Sequence, residues 1–279
     1  MGRLGKAEDA MKQWFQAAIL GICTAALFGA TAVAGVALVP HRAVYDINLI
    51  SAKSSGGVSS VKGEMLAEWS ESCEGWALDH RTLFDISYAH GGTVRLTSSV
   101  ATWESLDGLR YHFDITNSVN GKVTEKFEGR SQLAGNRGGG QVNYIVPDRE
   151  PMKLKRGTVF PMIHTARVLS ATKIAPTIRS MIVFDGMSKE GAFRVNAVIG
   201  RPIAPDDSAM EGLKGRRSWP LQLAYFSVAG PEPEPEHEVG MRIYENGVGD
   251  AMLLDFVEFK VKADLKRLEY AKRPDCGAK

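Results

Sequence analysis

From Ala43 onward, apolar and polar positions alternate in short runs, the pattern of strands with one face buried. Tyr45, Ile47 and Leu49 alternate with Asp46 and Asn48, and the run from Trp76 to Tyr88 carries Leu83, Phe84 and Ile86 among polar neighbours. The same rhythm predicts strands over Thr93–Ser105, Arg110–Asn120, Lys122–Leu133, Gln141–Val146, Thr177–Phe184, Phe193–Ile199, Leu221–Val228, Val239–Glu245, Ala251–Lys260 and Val261–Tyr270. Turn chemistry falls between them. Asn120-Gly121 and Asn246-Gly247 suit type I′ hairpins because both residues tolerate positive φ, and Asp107-Gly108 and Asp185-Gly186 carry a weaker form of the signal. Consecutive strands are therefore expected to pair antiparallel in a long meander, and the absence of a βαβ rhythm argues against a doubly wound sheet.

One segment carries a different period. Phe160, Ile163 and Arg167, with Met162, Ala166 and Leu169 on the adjoining stripe, sit at helical spacing. Thr158 is the expected N-cap of a helix beginning near Val159, since Pro161 is tolerated only in a first turn. A lone helix among a dozen strands must bury its apolar face, and the concave face of a curled sheet is the place that allows it. Pro231-Glu232-Pro233-Glu234-Pro235-Glu236 cannot donate to a ladder at alternate positions and reads as an extended polyproline loop within a hairpin. Gly135 through Gly140 reads as a flexible loop; with Asn136 and Arg137 inside it and no Lys-Ser/Thr after it, it is no phosphate-binding P-loop.

The first 34 residues change the setting. Arg3, Lys6 and Lys12 precede a run from Trp14 to Val39 without a charged residue, and Ala32-Val33-Ala34 before Gly35 completes a secretory signal. Residues 1–34 are thus expected to be removed, leaving a single domain over 35–279, long enough to bury a large core. A retained anchor is the competing reading, because the run can span a bilayer, and it would bring the domain into contact with a membrane. Leu20-Gly21-Ile22-Cys23 resembles a lipoprotein signal, but Ile22 is bulky where a small residue is wanted.

Export gives the cysteines a meaning. Removal of the leader takes Cys23 and leaves Cys73 and Cys276, which in an oxidising compartment allow one intramolecular bridge. The alternative is two free thiols. A bridge closing so long a loop is worth about 5 kcal/mol on the chain-entropy model.

Charge and chemistry-bearing residues exclude more than they propose. A formal net charge of +2 gives no nucleic-acid footprint, and Lys153-Leu154-Lys155-Arg156 and Gly215-Arg216-Arg217 read as solvated faces. The six histidines, at 41, 80, 90, 112, 164 and 237, show no metal-ligand spacing, and no G-x-S-x-G elbow is present. No cofactor is implied. His164 on the expected helix reads first as a packing residue and second as a catalytic base with an unseen partner. The tryptophans read as core, or as walls of an apolar cavity.

Four stretches together carry a resemblance: His41-Arg42-Ala43-Val44-Tyr45-Asp46 after the leader, Cys73-Glu74-Gly75-Trp76, Gly157 through His164, and a closing Cys276. In this combination, which runs through the whole mature chain, the sequence resembles the EipB family of bacterial cell-envelope-integrity proteins. The resemblance implies a periplasmic, all-β protein with one or few short helices, its meander curled into a spiral-like broken β-barrel with a helix in the concave face. It places the disulfide on Cys73 and Cys276 and the family signature on Ala43, Tyr45 and Asp46. The family's barrel is similar in shape to the lipoprotein carriers LolA and LolB, a likeness of fold that does not carry function. The expected role is non-enzymatic: maintenance of the envelope by binding a protein or lipid component, with Phe160, Ile163 and His164 as the candidate cavity and helix residues. A carrier of a lipid or acylated protein is the alternative, and a hydrolase using His164 is the reading from a different class.

Overall fold

The computed structural model describes residues 38–277 apart from 55–56, 136, 189–190, 208–209, 229–233 and 257. The expected leader, Cys23, Asn136 and the start of the Pro-Glu repeat lie outside the described residues. Fifteen strands form one sheet in the order β8-β7-β6-β5-β4-β3-β2-β1-β15-β14-β13-β12-β11-β10-β9. They are β1 (His41–Ala52), β2 (Val58–Glu71), β3 (Gly75–Tyr88), β4 (Thr93–Ser105), β5 (Arg110–Val119), β6 (Lys122–Leu133), β7 (Gly140–Val146), β8 (Met152–Leu154), β9 (Thr158–Val159), β10 (Thr177–Val183), β11 (Phe193–Ile199), β12 (Ser218–Ser227), β13 (His237–Tyr244), β14 (Gly249–Asp255) and β15 (Phe259–Tyr270). The chain starts in the middle of the sheet, winds out to one edge, crosses to the other and winds back until β15 pairs with β1.

Both edge strands are very short and follow one another in the chain. Only Lys155, Arg156 and Gly157 separate them, so the two edges of the curled sheet lie near one another and the sheet is a nearly closed barrel. Inward residues of all fifteen strands and of the helix form one continuous core. On β3 the inward row is Leu78, His80, Thr82, Phe84 and Ile86, which leaves Leu83 on the other face. Alternation, and not hydrophobicity alone, decides which residue points in.

Several local expectations are corrected. Asn120 and Gly121 both have positive φ, 50° and 78°, as a type I′ turn requires, but at the second Asn-Gly pair only Gly247 does (φ 90°). There the Gly247 N–H bonds to the Tyr244 carbonyl and the Tyr244 N–H to the Val248 carbonyl, a longer hairpin loop with glycine at the left-handed position. Asp185-Gly186 is no hairpin turn: it opens a loop docked on the core, where Asp185 is buried and a Cβ at Gly186 would stand 2.6 Å from the Phe113 ring. The boundary between the last two strands lies at 256–258, where the Phe256 N–H bonds to the Phe259 carbonyl at 3.0 Å. The sheet also contains one parallel contact, the two-residue β9 against β10 across the helix.

The helix, α1, runs Pro161–Ala171, with Phe160 and not Thr158 as its N-cap. Thr158 lies instead in β9 with its hydroxyl donating to the Lys155 carbonyl at 2.7 Å. Proline at the first helical position needs no donor, so the helix begins there at no hydrogen-bond cost. A single 3-10 turn, Thr172–Ile174, continues it.

Candidate functional site

Helix α1 fills the concave face. Its buried side includes Met162, Thr165, Ala166, Val168 and Leu169, whereas Ile163 and Arg167 are only half-buried. The covered face is thus rotated from the one the spacing suggested. Phe160 is fully buried and stacks on Tyr111 of β5 with centroids 5.1 Å apart, and Phe113, Tyr144 and Phe184 complete an aromatic cluster around it. Ile163 sits over the β4–β5 turn, where a Cβ at Gly108 would approach its Cγ1 to 2.3 Å. A glycine is required there both by this approach and by a φ of +68°.

The helix N-terminus is capped from a distance. Glu104 of β4, fully buried, accepts the Met162 N–H at 2.7 Å and the Ile163 N–H at 3.1 Å through its two oxygens. Because Pro161 has no N–H, two of the three orphan donors of the helix are thereby satisfied by a residue of another strand, which also sits at the positive end of the macrodipole. Burial nevertheless dominates and pushes its carboxyl up to about 8. Asp185 is raised to about 7, first by burial; its Oδ1 accepts the Met187 N–H at 2.9 Å and its Oδ2 has no partner.

His164 shows the marks of a packing residue. It is 6% exposed, its Nε2 has no hydrogen-bond partner, and burial together with the Arg167 charge lowers its pKa to about 4. A buried imidazole kept neutral, with no partner on its Nε2, has the environment of a packing side chain. Among the described residues no group of three or more His, Cys, Asp or Glu stands close enough to hold a metal ion.

The residues of the expected signature lie on β1, beside its seam with β15. Ala43 and Tyr45 face the core, and the Tyr45 hydroxyl donates to the Gly249 carbonyl at 2.9 Å, fastening β1 to β14 across the intervening β15. Asp46, on the outer face, pairs with Lys266 of β15 at 3.0 Å. Cys73, in the β2–β3 turn, is bonded to Cys276 beyond β15, closing a separation of 203 residues. Arg273 reinforces this tail by an ion pair with Glu71 at 3.4 Å and a hydrogen bond to the Leu38 carbonyl.

Two open concavities lie away from these residues. The cleft of about 510 Å³ at the C-terminal end of α1 has a mixed lining, in which Leu169, Ala175, Pro202 and Trp219 stand with Lys173, Arg216, Arg217, Glu245 and Asn246. A second, of about 620 Å³, lies over the β7–β8 connection, where the Arg149 guanidinium stands 3.6 Å from the centroid of the Tyr144 ring. Spacing could not reveal the first, because its walls come from four separated chain segments. The Gly215-Arg216-Arg217 run was its only visible trace. Trp219 is a wall of this mixed cleft, while Trp69 and Trp76 are core.

Comparison with known proteins follows the whole architecture. A family model described as EipB-like matches residues 32–272. The chain is 27% identical over 248 residues to the cell envelope integrity protein EipB of Brucella abortus (strain 2308), covering 86% of this chain and 87% of that one. It is also similar to the crystal structure of a beta-barrel-like protein of a domain of unknown function from Brucella abortus, with a TM-score of 0.77 and 25% identity over 85% of this chain and 99% of that one.

Proposed function

The chain belongs to the EipB-like family, and from that premise we propose that it maintains the integrity of the cell envelope as a non-enzymatic, periplasmic binding protein. The observation that carries this reading is the extent of the match: residues 32–272 include every strand of the barrel, so the likeness is one of the whole architecture and not of a shared motif. The periplasmic placement rests on the leader at residues 1–34 and on the Cys73–Cys276 bridge, which an oxidising compartment sustains. Binding is favoured over catalysis because the titratable groups nearest the helix are buried in structural roles: Glu104 caps α1 and His164 is sealed. The partner is an envelope protein or lipid component. A carrier in the manner of LolA and LolB is less well supported, since Phe160, Val168 and Leu169 already occupy the space an acyl chain would need, and loading would require α1 to move.

The test is genetic. Deleting the gene in its host should sensitise cells to detergent and to cell-wall antibiotics, and a His164→Ala copy, exported and folded at the wild-type level, should restore resistance. A deletion without phenotype would remove the envelope role. A folded His164→Ala protein that fails to complement would bring chemistry at His164 forward instead. Mass spectrometry of lipids and proteins co-purified with the exported chain separates the carrier from the protein-binding reading.

A further inference from the structure

The returning half of the sheet ends in an edge that its own chain leaves open. β9 covers only Ile182 and Val183 of β10, so residues 177–181 have β11 on one side and, among the described residues, no strand on the other. The Phe184 N–H donates to the Val159 carbonyl on the β9 side. Backbone groups change sides with every residue, so Ser180 and Ile178 turn theirs to that same side, where β9 no longer reaches. The Ile178 carbonyl is taken by the Arg179 guanidinium at 2.8 Å, which also donates to the Thr177 hydroxyl at 2.8 Å. The Ile178 and Ser180 N–H groups and the Ser180 carbonyl are left facing out from the edge. β10 has neither the proline nor the bulge that blunts such edges: its pairing with β11 is unbroken from Thr177↔Ile199 to Val183↔Phe193. Its outer face is apolar. Ile178, 64% exposed, stands opposite Val198, 45% exposed, and the exposed Ile174 precedes the strand. Of the nine large apolar side chains that stand exposed, these three and Ile203 fall within residues 174–203, a clustering that scattered surface residues do not show.

Charge narrows the partner. β10, β11, β12 and residues 200–204 contain Arg179, Arg194 and Arg201 and no Asp or Glu. Arg194 and Arg201 are exposed and have no carboxylate partner among the described residues; the Arg194 guanidinium lies instead 5.1 Å from the centroid of the Phe226 ring. A second copy of this chain pairing edge to edge would set these cations against their own images, which is unfavourable across a ladder. We propose that the β10 edge is a docking site for an extended, acidic segment of a partner protein, added to the sheet as a further strand. The segment pairs its backbone with Ile178 and Ser180, lays its apolar side chains beside Ile178 on the outer face, and brings carboxylates on its other face to the Arg179 guanidinium. In this mode main-chain hydrogen bonds give affinity and the alternate side chains give specificity. The proposal names the chemistry of the protein partner in the binding reading above and rests on that reading for its biological sense.

Fluorescence anisotropy of the exported protein with a labelled peptide of four Glu-Val repeats tests it. Saturable binding is expected, at least tenfold weaker for a Lys-Val peptide of the same length and for the Glu-Val peptide methylated at every backbone amide, and weakened by added salt. Ile178→Glu, an exposed change that leaves the ladder intact, should weaken binding at least tenfold, and Arg179→Gln severalfold. Ser180→Pro removes an edge N–H that no strand of this chain uses, a place where proline is tolerated, and should abolish binding while the melting curve stays near wild type. Hydrogen-exchange mass spectrometry should show residues 177–181 protected by the peptide. No saturable binding of the Glu-Val peptide, equal binding of the Lys-Val peptide, or binding that Ile178→Glu and Ser180→Pro both leave unchanged, overturns the site. A concentration-dependent dimer that Ile178→Glu removes, without peptide binding, would seat a second copy on this edge. Flotation with phosphatidylglycerol vesicles that the same variant abolishes, again without peptide binding, would seat a membrane there. Either result overturns the proposal. The envelope role fails by a different result, a deletion strain without phenotype, so the two failures are distinguishable.

Discussion

The two arms of the meander solve the same burial problem differently. In the outgoing arm, β1 to β6 are 10 to 14 residues long and are joined by short turns, so each strand buries its own inward row and the sheet needs little else. In the returning arm, β9 to β14 span two to ten residues, the connections 184–192 and 200–217 are long, and the arm carries helix α1 and the cationic cleft. Short strands bury too few side chains to stand alone, so loops and a helix must complete the core. The comparison teaches that the outgoing arm acts as a regular scaffold while the irregular arm completes the core with a helix and long connections. Contacts between the arms make them one unit: Glu104 of β4 caps α1, Tyr111 of β5 donates to the Asp185 carbonyl at 2.9 Å, and Tyr45 of β1 reaches β14.

The contrast is tested most severely at Phe160, where the arms meet. Phe160→Ala should lower stability by about 3–5 kcal/mol, because it removes a fully buried ring that stacks on Tyr111 and leaves a cavity under the helix. Val123→Ala on the outer face of β6, 54% exposed, should stay within about 0.5 kcal/mol. Denaturant midpoints of the two variants decide the matter, and equal midpoints would show that α1 does not join the arms.

A smaller loss is expected at the seam between the chain ends. Replacing Cys73 and Cys276 together by serine should cost about 2–4 kcal/mol through the freed loop of the unfolded chain, lowering the melting temperature by several degrees. Because β1 and β15 remain paired from His41↔Tyr270 to Ala52↔Phe259, with only two register shifts, the domain should still fold. An unchanged melting curve would mean that the ladder alone secures the seam.

The most subtle effect is in the pH dependence. Buried His80, His164 and His237 are depressed to about 4, 4 and 3, so their contribution is full above the unfolded value near 6.5 and is lost as pH falls toward those values. Glu104 and Asp185 have the opposite sign: raised to about 8 and 7, they favour the fold at low pH and the benefit is lost as pH rises through those values. Glu104→Gln keeps an acceptor for the helix N–H groups and removes one titration. Its melting temperature should therefore gain on wild type between pH 5 and 9, by the order of a few degrees. A constant difference across that range would refute the raised pKa of Glu104.

Much of the scaffold was legible along the chain. Strands at 122–133 and 193–199 fall on their expected bounds, because alternation is a local property and each long strand reports its own buried face. The helix existed where a 3.6-residue period interrupted that alternation, yet its start shifted from Val159 to Pro161, since β9 claims Thr158 and Val159 for a parallel contact with β10 that no local pattern encodes. Glu104 was a charged residue in an inward position of β4, a visible signal once the register is known, but nothing in the sequence names the helix donors 58 and 59 residues away that it serves.

What the sequence by itself determined is therefore the meander, the presence of one helix and the cysteine pair, all set by local periodicity and by composition. Tertiary structure alone decided which face of α1 is buried, that Asp185 and Glu104 lie in the interior with raised pKa values, and that Lys173, Arg216, Arg217 and Glu245 share one cleft. The physical reason is that burial, desolvation and charge balance belong to surfaces assembled from distant segments. They arise only when the last strand returns to pair with the first.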